Sequence, residues 1–273
     1  PIVLVHGLFG FSRLGPMAYF KDVAVELSRQ GAVVYTAALP PAQSDEVRGR
    51  RLLAQLSCWQ QRDGHTRFNL IGHSQGGTTG RYAAALRPDL VASVTTVGTP
   101  HFGSAVADLL QRQTESAGTQ DAAAALANAF AKLLALLSEA PVGLEDARAA
   151  LLSLSSQGAA RFNALYPLGA PPAPCQAGPE EQGGVHFYSF GGTAAATVAA
   201  SDLLLRPFAK AFGAEPNDGL VGLCASYWGL PRRHDLKLNH LDQVNHRHLG
   251  LFGSPEPLAL YREHAEFLAR RGL

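Results

Sequence analysis

Phe68-Asn69-Leu70-Ile71-Gly72-His73-Ser74-Gln75-Gly76-Gly77 is the stretch that decides the fold of this 273-residue chain. Phe68–Ile71 has the apolar character of a short buried strand and closes on Gly72. Gly76 to Arg87 reads as a helix, with Pro88 as its stop. The pentapeptide between them fits Gly-x-Ser-x-Gly. A serine set between strand and helix must turn so sharply that its backbone is strained, and the flanking glycines leave room for the turn. That geometry lifts Oγ clear of the sheet edge. A helix N-cap serine would account for the hydroxyl but not for the three glycines around it. Ser74 is the expected nucleophile.

Outward from this junction, strand and helix signals alternate. Ile2–Val5 reads as a strand, Ala18–Gln30 as a helix stopped by Gly31, and Ala32–Ala37 as the next strand. Ser44 begins a helix whose first turn carries Asp45 and Glu46, favourable to the macrodipole. Val91–Val97 follows the Gly76–Arg87 helix as another strand. Strands that are apolar without polar alternation imply a sheet covered on both faces, hence a doubly wound, mostly parallel α/β fold.

The rhythm breaks between Ser104 and Pro167, a stretch of helix formers in which Leu126, Phe130, Leu133, Leu134 and Leu137 line one face. Core packing commonly explains such a stripe. The insert nevertheless follows a strand at the carboxyl end of the sheet, where ligands bind in open α/β folds. Ala122–Glu139 is therefore a candidate lid helix. A Pro/Gly-rich loop, a strand at Val185–Phe190, irregular segments and a last helix from about Pro257 to Arg271 complete the chain. One domain over residues 1–273, with a helical lid or cap insertion at roughly 104–166, is the expected organisation.

Composition narrows the function. With 23 basic and 22 acidic residues and a net charge of +1, nothing points to a polyanion partner or an electrostatic membrane anchor, so nucleic-acid binding is not expected. The chain enters its first strand directly from Pro1 and reads as mature or trimmed, any signal peptide lying outside it. The most apolar run, Ala122 to Leu137, is interrupted by Asn128 and Lys132 and is too short and polar to span a bilayer, so the protein is expected to be soluble. Cys58, beside Trp59 on an apparent helix, is expected to be a buried thiol. Cys175 and Cys224 occupy loop or strand-end positions, and a bridge between them would close a loop of about 50 residues, worth roughly 4 kcal/mol. The count of three alone leaves three pairings open.

A serine hydroxyl needs a base and an orienter for that base, expected here in the order Ser, Asp or Glu, His. The best acid downstream of Ser74 is Asp218 in Asn217-Asp218-Gly219-Leu220-Val221, which resembles a tight turn leaving a strand. An ordinary Asp-Gly turn is the alternative, and Asp202 and Asp235 compete. For the base, His234, His240, His246, His248 and His264 qualify by order. His264, among Glu263 and Glu266 in a helix, reads as part of a solvated face. His240, in a loop with Asp242 two residues on, is favoured modestly over His246 and His248. Oxyanion donors are expected from the amide of Gln75 and, in the loop His6-Gly7-Leu8-Phe9-Gly10, from Leu8 N–H.

These residues carry a resemblance. Pro1-Ile2-Val3-Leu4-Val5-His6-Gly7, Gly72-His73-Ser74-Gln75-Gly76-Gly77, Arg87-Pro88-Asp89-Leu90, Val97-Gly98-Thr99-Pro100-His101, Gly158-Ala159-Ala160-Arg161-Phe162-Asn163, Asn217-Asp218-Gly219-Leu220-Val221-Gly222 and Asn239-His240-Leu241-Asp242-Gln243-Val244-Asn245 resemble the bacterial true lipases of the Pseudomonas/Burkholderia type. The likeness runs from the first residue to the terminal helix. It implies an α/β-hydrolase fold, a secreted triacylglycerol lipase activity on water-insoluble acyl esters at a lipid–water interface, and a mobile helical lid. It implies that Asp218 and His240 partner Ser74 and that Cys175 pairs with Cys224. A dedicated foldase is a further expectation. It also implies a structural calcium, with Asp242 as a close match to one carboxylate ligand and Asp202 as a looser one. Two backbone carbonyls near His246 and Gly250 or Leu251 would complete that site, although His246-Arg247-His248-Leu249 departs from the family pattern. The expected function is a serine ester hydrolase. The alternatives are an esterase or polyester depolymerase on the same scaffold and, more remotely, a non-catalytic lipid-binding protein.

Overall fold

The structure, a computed structural model, describes residues 1–8, 10, 13–14, 17–115, 144–193, 201–246 and 255–273. The lid helix expected over Ala122–Glu139 lies outside them. Five parallel pairings build the main sheet. They join β4 (Val34–Thr36), β1 (Ile2–Val5), β5 (Phe68–His73), β6 (Val91–Val97), β8 (Val185–Gly192) and β9 (Leu230–Leu236) in that spatial order. β7 (Glu181–Gln182) runs antiparallel on β8, and β2 (Arg13–Leu14) pairs with β3 (Met17–Ala18) outside the sheet.

Both faces of the sheet are covered, which is why its strands lack polar alternation. Val3, Val5, Phe68, Leu70 and Val94 point to one side and pack with Leu52 and Leu56 of α2 (Asp45–Asp63) and Ala83 and Ala84 of α3 (Gln75–Leu86). Ile2, Leu4, Ile71, Val97 and Phe190 point to the other, against Val23 and Leu27 of α1 (Val23–Arg29) and Leu260 and Tyr261 of α8 (Pro255–Arg270). A third cluster joins Val106 and Leu110 of α4 (Ala105–Glu115), Leu205 and Phe208 of α7 (Asp202–Ala209), and Leu241. α5 (Leu144–Leu154) and α6 (Ser156–Leu165) lie between α4 and β7 in chain order. Among the described residues no helix is long and apolar enough to cross a membrane.

Several expectations are corrected. α1 begins at Val23 rather than Ala18, because Tyr19 and Phe20 turn their rings into the core from a bend. β9 is a strand where irregular chain was expected. Arg232, Arg233 and Asp235 in it are exposed because it lies at the sheet edge, and Pro231 is tolerated there for the same reason. His264 is buried, not solvated: it shares the inward stripe of α8 with Leu260, Tyr261 and Leu268, and its Nε2 is hydrogen-bonded to Thr95 Oγ1 at 2.7 Å. Glu263 and Glu266 lie about 100° and 200° further round the helix and say nothing about its face. Cys58 is exposed rather than buried, since α2 buries Leu52 and Leu56 and turns position 58 away. Cys175 and Cys224 are joined by a disulfide.

Candidate active site

Ser74 sits where β5 passes into α3, with φ 55° and ψ −129°, a conformation that a non-glycine residue adopts only when its surroundings impose it. The constraints are visible. Ser74 N–H donates to Val97 O at 2.9 Å, and Thr99 Oγ1 donates to Ser74 O at 2.8 Å. Gly72 and Gly76 are required by close approach: a Cβ on Gly72 would overlap the Gly76 carbonyl, and one on Gly76 would overlap that of Val5. Gln75 is the first residue of α3, so its N–H belongs to the helix turn whose donors have no intrahelical acceptor.

Asp218 and His240 arrive from separate loops. Asp218 lies in a tight turn closed by a single bridge between Asn217 and Gly222, not at the end of a strand as expected. Its carboxylate is buried and receives four hydrogen bonds. Oδ1 accepts from Leu220 N at 3.0 Å and Val221 N at 2.8 Å, and Oδ2 from Gln243 Nε2 at 2.7 Å and His240 Nδ1 at 2.8 Å. The two loops are also joined through the backbone, His240 N donating to Asp218 O at 2.8 Å. With Nδ1 committed to the carboxylate, Nε2 is left on the far side of the ring. His240 and Ser74 line one pocket, whose wall is otherwise largely apolar and includes Leu8, Val106, Leu110, Leu154 and Leu241.

The other acids and histidines have different partners. Asp235 pairs with Arg233 at the surface, His234 packs on Tyr227, His246 bonds to Tyr19 O, and His264 to Thr95. His248 lies outside the described residues. Asp202 and Asp242 are both buried and meet through Ser201 and Asn239. Asn239 Nδ2 donates to Asp202 Oδ1 at 2.6 Å and to Ser201 Oγ at 2.7 Å, while Ser201 Oγ donates to Asp242 Oδ1 at 2.7 Å. The buried Oδ2 of Asp202 has no hydrogen-bond partner among the described residues. An oxygen so placed fits a hard cation such as Ca²⁺, with Asp242 beside it. Gly250 lies outside the described residues. Among these residues no cluster of three or more metal-binding side chains occurs, so backbone oxygens would have to complete the shell.

Around Leu8 the chain is held by contacts that no local sequence pattern specifies. His6 Nε2 accepts from Leu39 N at 3.3 Å, so Nδ1 carries the proton and donates to Gly7 O at 2.9 Å. Burial, with Arg48 nearby, lowers the His6 pKa to about 3 and keeps the ring neutral. Arg48, fully buried, donates to the carbonyls of His6 and Pro40 and to Thr79 Oγ1, tying the loop before Leu8 to α3. Asp45 accepts from Thr78 Oγ1 at 2.7 Å, and burial pushes its carboxyl up to about 7. Gln243 is a further addition, reached only because the His240 loop folds back over Asp218. The motif around His240 contains Gln243, but nothing in it shows which oxygen its amide meets.

Comparison with known proteins shows the family of the chain. The family model of the alpha/beta hydrolase fold matches residues 1–167. A triacylglycerol lipase of Vibrio cholerae is 42% identical, covering 100% of this chain and 88% of its own length. One of Pseudomonas fragi is 40% identical (100% and 97%), and one of Burkholderia plantarii 36% (100% and 87%). Among solved structures, Staphylococcus hyicus lipase superposes with a TM-score of 0.67 at 18% identity, covering 99% of this chain and 95% of that one, which speaks to fold alone. Full-length identity to three such relatives, carried on a parallel sheet with a strained serine at its carboxyl edge, makes the chain a member of the α/β-hydrolase family and, within it, of the bacterial triacylglycerol lipases.

Proposed function

We propose that this chain hydrolyses acylglycerols and related water-insoluble esters through an acyl-enzyme formed on Ser74. His240 Nε2 accepts the Ser74 proton as Oγ attacks the ester carbonyl, then gives it to the departing alcohol. Asp218 holds the imidazole with its proton on Nδ1 and stabilises the imidazolium. The amides of Leu8 and Gln75 donate to the developing oxyanion. Water, activated by His240, then attacks the acyl carbonyl and releases the acid, returning the proton to Ser74.

The single observation that carries the reading is the 2.8 Å contact of His240 Nδ1 with Asp218 Oδ2 beside a pocket that His240 shares with Ser74. The apolar wall of that pocket favours an acyl chain over a polar substrate. Calcium held by Asp202 and Asp242, with backbone oxygens near His246 and Gly250, belongs to the same proposal. When bound, it would neutralise two buried carboxylates and brace the loop of His240. Secretion is part of it too, since a disulfide such as Cys175–Cys224 persists in oxidising compartments.

Ser74→Ala should lower kcat by on the order of 10⁶-fold, about 8 kcal/mol in barrier height. A variant retaining a tenth of wild-type turnover rejects the nucleophile assignment. Rate measured across the solubility limit of a triglyceride separates a lipase, whose rate jumps when an interface appears, from an esterase or polyester hydrolase.

A further inference from the structure

Two buried polar side chains, Tyr19, which lines the pocket beside Ser74, and His73, which precedes the nucleophile, are given no proton transfer in the proposed reaction. The Tyr19 hydroxyl lies 2.7 Å from His73 Nδ1. Burial raises the phenol pKa and keeps it protonated, and with the Gly7 amide directed at its oxygen the O–H is left to donate to Nδ1, which puts the His73 proton on Nε2. His73 itself stays neutral, its pKa driven well down by burial and by the neighbouring His240. Its ring packs on that of His240, with centroids 4.5 Å apart and planes at 46°. Nε2 faces the His240 carbonyl without reaching hydrogen-bond geometry.

At its other end the same hydroxyl abuts the loop before Leu8. The Gly7 amide interacts with the phenol oxygen, and a Cβ on Gly7 would come within 2.8 Å of it and 2.7 Å of Ser74 Cβ. The Tyr19 backbone is fastened to the far side of the His240 loop. His246 Nε2 donates to Tyr19 O at 2.7 Å, Lys21 N to Val244 O at 3.1 Å, and Asn245 Nδ2 to Lys21 O at 3.0 Å. One short segment therefore touches the Gly7–Leu8 loop, the residue preceding the nucleophile and the loop of the histidine.

A single hydrogen bond at Nδ1 leaves the His240 ring free to tilt about it. We infer that Tyr19 and His73 are a positioning pair: the Tyr19 O–H locks the His73 ring, and that ring backs His240, so that Nε2 is held in register with Ser74 Oγ and with the donors at Leu8 and Gln75. The inference rests on the proposed role of His240 as base. Neither residue exchanges a proton with substrate. What the pair supplies is alignment, and misplacement by about 1 Å at a reacting centre costs on the order of 100-fold in rate.

The test uses Tyr19→Phe, which keeps the ring in the pocket wall and removes only the hydroxyl, and His73→Asn, which keeps an acceptor for Tyr19 but deletes the part of the ring that backs His240. kcat and KM are measured on a soluble short-chain ester, alongside Tm and the fraction of enzyme labelled by an organophosphonate. Each variant is expected to lose roughly 10- to 100-fold in kcat, with KM within about twofold and folding intact. The double variant should be little worse than the more damaged single, because the two side chains act as one unit. Unchanged kcat in a folded Tyr19→Phe overturns the pairing. A rise in KM alone reduces Tyr19 to pocket wall, and a loss of kcat that tracks only the fall in Tm reduces the pair to packing; either result overturns the inference. Wild-type enzyme that takes up no label, or a His240→Ala variant as active as wild type, would instead remove the underlying reading of the site.

Discussion

Replacing Asp218 by Asn changes one oxygen for an amide and should abolish most of the turnover while leaving the fold in place. The reasoning follows from the four donors on this carboxylate. Two backbone N–H groups, of Leu220 and Val221, converge on the Oδ1 position, so the asparagine must put its carbonyl there. Its NH₂ then occupies the Oδ2 position, against Gln243 Nε2 and His240 Nδ1, both of which donate to Asp218. Gln243 can turn its amide end for end and offer Oε1. His240 can respond only by accepting at Nδ1, which puts its proton on Nε2 and removes the lone pair that would take the Ser74 proton. In serine hydrolases a wrong tautomer of this kind lowers kcat about 10⁴-fold, about 5.5 kcal/mol of barrier. The assay is steady-state kinetics on a soluble ester, with circular dichroism and Tm to show the fold intact. A folded Asp218→Asn enzyme losing less than about 100-fold would refute the tautomer argument and, with it, the role given to Asp218.

Asp45, whose carboxyl burial raises to about 7, binds a proton in the folded state that the unfolded chain has released. Its stabilising contribution is full below about pH 4 and is lost as pH rises to about 7, by at most about 4 kcal/mol. Asp45→Asn should flatten that slope in denaturant titrations at pH 5 and 8, and an unchanged slope refutes it. Substituting both Cys175 and Cys224 by Ser releases a loop of 49 residues and should cost about 4 kcal/mol of unfolding free energy, seen as a lower denaturant midpoint. A chelator should lower Tm of wild type, by about 3 kcal/mol of stability if calcium stands at 100 times its Kd, and should not affect Asp202→Asn. Equal Tm with and without chelator removes the calcium proposal.

Much of the site was written into short stretches. The strain at Ser74 follows from a strand and a helix meeting across Gly72-His73-Ser74-Gln75-Gly76, and every residue needed to read it lies within that stretch or beside it. Asp218 and His240 were harder, because chain order admits three acids and five histidines. Motif resemblance selected one of each, and the hydrogen bond between them is a contact across 22 residues that no local pattern specifies. Nothing in the sequence marked a role for Gln243, Arg48 or the Tyr19–His73 pair, although Gln243 and His73 lie inside motifs. They act through contacts separated by 25, 42 and 54 residues respectively.

The primary structure alone settled the class of sheet, since uninterrupted apolar strands alternating with capped helices bury enough surface only when helices cover both faces. It also settled the serine turn, where two glycines are demanded by backbone crowding. Folding was needed to choose the facing of His264 and Cys58, to make an edge strand of the charged Leu230–Leu236, and to converge buried polar groups on the Asp218 carboxylate. Such choices depend on which donor meets which acceptor once water is excluded, and that is a property of the packed interior rather than of any segment.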